Sequence, residues 1–181
     1  MRKPYKVTLV VLLVVLALGV VALKTGYIGE TRLRANLTGH FKADFKDVNV
    51  RLQKDYGIDF AKSGTDLSCY NSEDAFGGPV DTCGKYGGLV AVTADAAFIA
   101  NWHKTSPALE TWLLQNGWKK DWNAAQPIAE ILDRPLNDGS IGVNYIKKHG
   151  KTTCRLSLTW VQPDVPNQLS ASEECIGTVR D

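Results

Sequence analysis

Residues 152–161 read TTCRLSLTWV, and this stretch decides the fold class because polar and apolar residues alternate along it. One face carries the cysteine, both leucines and the tryptophan, while the other carries threonine, arginine and serine. An alternation of period two is typical of an antiparallel strand that is buried on one side. Residues 141–147 precede this strand across His149-Gly150, so the sequence predicts a β-hairpin here.

The cysteines predict how the hairpin is fastened to the rest of the chain. The chain contains four of them: Cys69, Cys83, Cys154 and Cys175. Their spacing contains no Cys-x-x-Cys pair, which disfavours a zinc site and a thioredoxin-like redox centre. An even number of cysteines in an exported chain predicts disulfides instead. We favour Cys69–Cys83 because they are close in sequence, and Cys154–Cys175 because a final strand near residues 175–179 would lie beside the hairpin.

Amphipathic segments predict helices that cover this sheet. Residues 39–56 place large apolar side chains at spacings of three and four, which predicts a helix capped by Thr38. These side chains are Phe41, Phe45, Val48, Leu52 and Tyr56. Residues 85–92, KYGGLVAV, are interpreted as one buried strand, and Ser106-Pro107 predicts the start of a second helix. The order of elements predicts an α+β domain with one antiparallel sheet.

The N-terminal segment is apolar and has a basic flank. Val7 to Leu23 form an uncharged run of about seventeen residues, close to the lower limit for a membrane-spanning helix. Arg2, Lys3 and Lys6 precede the run, which places the N-terminus in the cytoplasm and the remaining chain outside. The alternative is a signal peptide cleaved after Ala22, which would secrete the protein. We favour the uncleaved anchor because the apolar run is longer than a usual signal-peptide core.

These patterns divide the chain into three predicted parts. Residues 1–23 form a cytoplasmic basic tip and transmembrane signal anchor, and residues 24–38 form a juxtamembrane spacer. Residues 39–181 form the extracytoplasmic α+β domain. The sequence therefore predicts a single-pass membrane protein of the cell envelope that contacts the lipid bilayer through Val7 to Leu23.

The charge of the exported part disfavours nucleic acid as a partner. The whole chain has 21 Lys and Arg against 19 Asp and Glu. Removing the three basic residues ahead of the apolar run leaves 18 basic residues against 19 acidic ones. Nucleic-acid-binding domains have a strongly basic surface, which this balance does not supply.

The sequence lacks the patterns of common catalytic sites. It has neither a G-x-S-x-G elbow nor a glycine-rich phosphate loop. The three histidines are far apart in sequence and are interpreted as surface or capping residues: His40, His103 and His149. We therefore expect no catalytic residue, no metal and no cofactor. The alternative is a small envelope hydrolase acting on glycan or peptide, with Glu110, Asp121 and His103 as its candidate residues.

Two features are candidates for a binding surface. Trp118 and Trp122 have an even spacing, so on a short strand they would share one face that, if exposed, stacks on a sugar or anchors a protein. The loop between Cys69 and Cys83 carries Glu73 and Asp74, whose oxygens suit calcium. Their spacing does not match a calcium loop, so solvated side chains are expected. The predicted function is binding or scaffolding, with an envelope protein or glycan as partner.

Overall fold

The computed structural model describes residues 5–24, 27–71, 81–121, 127–132, 140–161 and 167–179, excluding the side chains of residues 5–10, 22–28, 140 and 161. Its helices are α1 (Tyr5–Lys24), α2 (Tyr27–Tyr56) and α3 (Ala96–Gln115), with short 3₁₀ helices at Phe60–Lys62 and Ile128–Leu132. Its strands are β1 (Thr65–Tyr70), β2 (Thr82–Gly87), β3 (Val90–Thr93), β4 (Lys119–Lys120), β5 (Ser140–His149), β6 (Thr152–Val161) and β7 (Gln168–Thr178).

The strands form one antiparallel sheet, which confirms the α+β class. Its order is β1-β2-β7-β6-β5-β4, and β3 pairs with β7 as well. The predicted hairpin is β5–β6, whose pairing runs from Ser140 opposite Val161 to His149 opposite Thr152. Gly150 closes its turn with a φ of 58°, a conformation that glycine adopts without steric cost. The inward side chains of β6 are fully or almost fully buried in the core that α2 covers.

Both predicted disulfides are confirmed. Cys69 of β1 lies directly opposite Cys83 of β2, and their sulfurs are bonded. Cys154 of β6 lies directly opposite Cys175 of β7, and this pair is also bonded. Each disulfide therefore joins two neighbouring strands, one pair at the edge of the sheet and the other near its centre.

The segment 85–92 does not form the single strand that was predicted. β2 pairs with β7 as far as Tyr86 opposite Glu174, and β3 resumes the pairing at Val90 opposite Ala171. Residues 87–89 therefore face only residues 172–173, which is a β-bulge with one extra residue. Gly87-Gly88 provides the break, because glycine interrupts a strand easily. Bulges of this kind occur often beside functional sites, where they redirect a side chain.

Helix α2 begins well before the predicted residue 39. It starts at Tyr27, and Thr38 lies inside it, where the hydroxyl donates to Arg34 O at 2.9 Å instead of capping the helix. Leu33 and Leu37 are buried in the core. The larger part of the segment 24–38, predicted as a spacer, thus packs on the domain. Its many polar residues concealed two core positions spaced by four.

Helix α3 also begins earlier than predicted. It starts at Ala96 behind Asp95, whose side chain accepts a hydrogen bond from Phe98 N at 2.8 Å. Pro107 lies within the helix and does not mark its start. The Ser-Pro signal was wrong because Asp95, eleven residues before Ser106, caps the helix instead.

A search of the described residues found no helix that has both the length and the hydropathy to cross a bilayer. The transmembrane segment predicted for Val7 to Leu23 therefore stays a prediction.

Candidate functional site

The structure does not expose Trp118, which the sequence marked as a candidate for a binding surface. This side chain is 2 % exposed, and its ring centre lies 5.3 Å from that of Phe45 on α2. Trp118 therefore builds the core, so its proposed role in stacking on a ligand is wrong. Trp122, Glu73 and Asp74 lie outside the described residues.

Glu110, one of the candidate hydrolase residues, is held by structural contacts. Glu110 of α3 accepts a hydrogen bond from Ile128 N at 3.2 Å and forms an ion pair with Lys120. Burial raises the pKa of Glu110, but the hydrogen bonds from Lys120 and Ile128 outweigh it and leave the pKa below its usual value. Such a carboxylate joins structural elements and is unsuited to donating a proton. Asp121 lines an open pocket of about 560 Å³ that neither Glu110 nor His103 lines.

Two histidines that are distant in sequence meet on the surface of α2. The rings of His40 and His149 stack with their centres 4.2 Å apart. Asp44 binds His149 Nε2 at 2.6 Å through one carboxylate oxygen and Lys147 Nζ at 3.0 Å through the other. Within the described part of the chain, no group of three or more residues is suited to a metal ion. The cluster therefore joins α2 to the end of the β5–β6 hairpin.

A buried carboxyl lies at the β-bulge. Glu173 of β7 is 2 % exposed and faces helix α2. A Cβ atom on residue 87 would lie 3.2 Å from Glu173 Oε2 and 3.2 Å from the Phe41 ring. The carboxyl group thus occupies space that is open because residue 87 is glycine. The bulge and Gly87 together create room for the Glu173 carboxyl between the sheet and helix α2.

Hydrogen bonding satisfies this carboxyl only in part. Asn49 Nδ2 donates to Glu173 Oε2 at 3.4 Å. Glu173 Oε1 and Asn49 Oδ1 are both buried and have no partner among the described residues. Burial raises the pKa of Glu173 to about 8, and the hydrogen bond from Asn49 opposes this effect only weakly. Glu173 is therefore mostly protonated at neutral pH.

The carboxyl lines a pocket of about 280 Å³, which we call the Glu173 pocket. Phe41 and Phe60 supply aromatic walls, and Asp59 contributes a second carboxylate. Val50, which is 60 % exposed, lies at its opening. None of the described residues that line it is a lysine or an arginine. Native proteins rarely bury polar atoms without a partner, so Glu173 is the residue of this pocket that a ligand or an ordered water would satisfy.

The sequence contains a signal for this site in the alternation of residues along the final strand. Strand residues two apart share a face, so Glu173 faces the same side as Cys175. Cys175 is predicted to bond to Cys154, which lies on the apolar face of its strand, so Glu173 must also face the core once the final strand extends to residue 173. The predicted strand began at residue 175, and for this reason the buried carboxyl was missed.

Comparisons of the chain with family models, with curated proteins and with solved structures found no match. A functional proposal therefore rests on the chemistry of the chain's own residues.

Proposed function

We propose that this protein is a membrane-anchored, extracytoplasmic binding domain of the cell envelope, with its ligand site in the Glu173 pocket. The observation that carries the proposal is the Glu173 carboxyl, which lines a pocket while its buried Oε1 has no partner among the described residues. An unsatisfied buried acceptor costs about 1–3 kcal/mol, so its retention is best explained by a ligand that satisfies it.

The apolar helix α1 supports the anchoring part of the proposal. Its large apolar side chains from Val11 to Val21 are 52–63 % exposed, so the described chain does not cover them. Lipid is the partner that suits a continuous apolar surface of this kind, and the basic residues before it favour a cytoplasmic N-terminus. The two disulfides favour an oxidising compartment for the domain. Cleavage after Ala22 would instead release the domain into that compartment.

The anchoring is tested by extracting membranes at alkaline pH and determining the mass of the intact protein. We expect the full-length chain to stay in the membrane fraction. Replacement of Leu13 and Leu16 by arginine should move it out of that fraction, because each buried charge costs several kcal/mol in a bilayer. A soluble wild-type chain that begins at Leu23 would instead establish secretion.

The ligand site is tested by adding fractions of an envelope extract and measuring the thermal unfolding of the full-length protein. We expect one fraction to raise the melting temperature of the wild type, because a ligand stabilises the state that binds it. Gly87→Ala should remove this shift, since its new methyl group enters the pocket. Glu174→Gln is the matched control, because Glu174 pairs with Arg155 outside the pocket. An equal shift in Gly87→Ala would place the ligand elsewhere.

A glycan hydrolase is the second candidate, and one observation favours it. Glu173 and Asp59 line the same pocket, and burial gives Glu173 the raised pKa of a general acid. Asp59 accepts a hydrogen bond from Ala61 N at 3.1 Å and pairs with Lys62 at 3.4 Å. Glycoside hydrolysis uses a pair of carboxyl groups, one of which is a general acid with a raised pKa.

Mass spectrometry of envelope glycan incubated with the protein distinguishes the two candidates. If the protein is a hydrolase, the wild type should produce new reducing ends. Glu173→Gln and Asp59→Asn should each abolish them, and Glu174→Gln should produce as many as the wild type. A ligand that is bound and recovered intact would instead favour the binding domain.

A further inference from the structure

We infer that the Glu173 pocket binds an organic cation, namely an ammonium or guanidinium group of a small ligand. This inference rests on the proposed function and adds the chemical class of the ligand. The pocket has carboxyl groups from Glu173 and Asp59, and none of the described residues that line it is a lysine or arginine. Because Glu173 is mostly protonated without a ligand, a cation gains a charged partner there once it displaces that proton, whereas an anion gains none.

The unsatisfied atoms of the pocket specify what the ligand must supply. Glu173 Oε1 and Asn49 Oδ1 are buried acceptors without a partner among the described residues. Ammonium and guanidinium groups carry several N–H donors and no acceptor, so they match this pair of oxygens. A ligand with acceptors alone would leave both oxygens without a hydrogen bond and add its own desolvation cost.

The walls of the pocket suit the same class of ligand. Phe41 and Phe60 are both largely buried and line the pocket, so they offer aromatic surface to a group held beside Glu173. Aromatic rings attract cations, and guanidinium also stacks on them. A volume of about 280 Å³ limits the bound part to a small group.

Among the described residues, no lysine or arginine pairs with Glu173, and Lys85, which lies beside the pocket, donates to Thr65 Oγ1 at 2.7 Å instead. Helix α2 presents the neutral side chains of Asn49 and Gln53, and β2 presents Gly87. The remaining charged group in the lining is Asp59, whose own partner is the exposed Lys62. A bound cation would thus be the missing partner of the carboxylate. Because Glu173 is mostly protonated without it, each cation that binds at neutral pH displaces about one proton into solution.

The test uses methylguanidinium as the probe and N-methylurea as its neutral isostere. Binding to the full-length protein in nanodiscs of zwitterionic lipid is followed by the NMR shifts of the Gly64 and Gly87 amides between pH 6 and 9. We expect saturable binding of methylguanidinium whose affinity rises about tenfold per pH unit below pH 8 and levels off above it. Methylguanidinium stays charged throughout this range, so the profile reports the protein alone. N-methylurea should bind at least tenfold more weakly at pH 8.

Three variants locate the effect. At pH 8 Glu173→Gln should bind methylguanidinium at least tenfold more weakly than the wild type, and its affinity should not depend on pH. Glu174→Gln should keep the wild-type affinity and its pH dependence. Gly87→Ala should lose binding without any change in charge. Circular dichroism confirms the fold of each variant, and Glu173→Gln is expected to fold because it removes a buried ionisable group.

Two outcomes would overturn the inference. Equal binding of N-methylurea, with a flat pH profile, would make this a pocket for neutral amides, and the protein would still be a binding domain. If the Gly87→Ala variant kept full affinity, or if methylguanidinium bound at no pH, the inference that this pocket binds a cation would be wrong. A stabilising envelope fraction would then still establish the binding function, so the two failures are distinguishable.

Discussion

Asp44 Oδ2 lies 2.6 Å from His149 Nε2, although the two residues are 105 positions apart in the sequence. The other oxygen of Asp44 lies 3.0 Å from Lys147 Nζ, and the Asp44 side chain is 5 % exposed. One buried carboxylate on α2 therefore holds two basic side chains of β5. This contact joins α2, the helix that comes after α1, to the β5–β6 hairpin.

The first prediction is that Asp44→Asn lowers the free energy of unfolding by about 2 kcal/mol, because two hydrogen bonds to a charged group lose their charge. Asp47→Asn is the matched control, since Asp47 is exposed on the same helix and surface substitutions usually change stability by less than about 0.5 kcal/mol. Urea denaturation of the full-length protein measures both. Equal stability of the two variants would mean that the Asp44 contacts contribute nothing.

The second prediction concerns the two disulfides. Replacement of either pair by alanine should cost about 3 kcal/mol in the chain-entropy model, since the sequence separations of 14 and 21 residues differ little on a logarithmic scale. Cys83, Cys154 and Cys175 are fully buried and Cys69 is partly buried, so loss of the Cys154–Cys175 pair should cost up to about 1 kcal/mol more because it leaves the larger cavity. Equal losses in urea denaturation would contradict the added cavity cost.

Local sequence patterns were sufficient to predict the hairpin and the disulfides. The alternation along residues 152–161 and the turn at Gly150 depend on near neighbours, so they specify β5 and β6 without knowledge of the rest. Pairing Cys154 with Cys175 needed only the assumption that the final strand lies beside this hairpin. Cys69–Cys83 was predicted from the short loop between the two cysteines, and the structure confirmed it.

The remaining features depend on contacts that local patterns do not contain. Leu33 and Leu37 lie among polar residues that suggest a linker, and only the sheet beneath them makes them core residues. The bulge at residues 87–89 arises from pairing with β7, which is distant in sequence. The Glu173 pocket requires both the bulge and Asn49 of α2, so three separate segments define the site.

The third prediction tests the early start of α2. Leu37→Ala should lower the free energy of unfolding by about 3 kcal/mol, because Leu37 is fully buried and its truncation leaves a cavity. Leu114→Ala is the matched control, since Leu114 is 48 % exposed on α3 and should cost below 1 kcal/mol. If Leu37→Ala were as stable as the control, residues before 39 would be a spacer after all.

The fourth prediction is that the protein becomes less stable between about pH 5 and pH 8 because of Glu173. Burial raises the pKa of Glu173 from 4.5 to about 8, so in this range the folded state binds more protons than the unfolded state. The contribution of Glu173 to stability is therefore fully present below pH 4.5 and is lost as the pH rises through 8. Its slope is about −1.4 kcal/mol per pH unit.

Glu173→Gln tests this sign directly, because glutamine resembles the protonated acid in shape and does not ionise in either state. The variant should be more stable than the wild type by about 3 kcal/mol at pH 7, which follows from the pH range over which only the folded state holds the proton. The two proteins should converge near pH 4.5. Glu174→Gln should follow the wild-type profile, since Glu174 is paired with Arg155 and is partly exposed. Parallel profiles for wild type and Glu173→Gln in urea denaturation would show that the carboxyl is ionised in the folded protein, and a cation would then bind to the Glu173 pocket without releasing a proton.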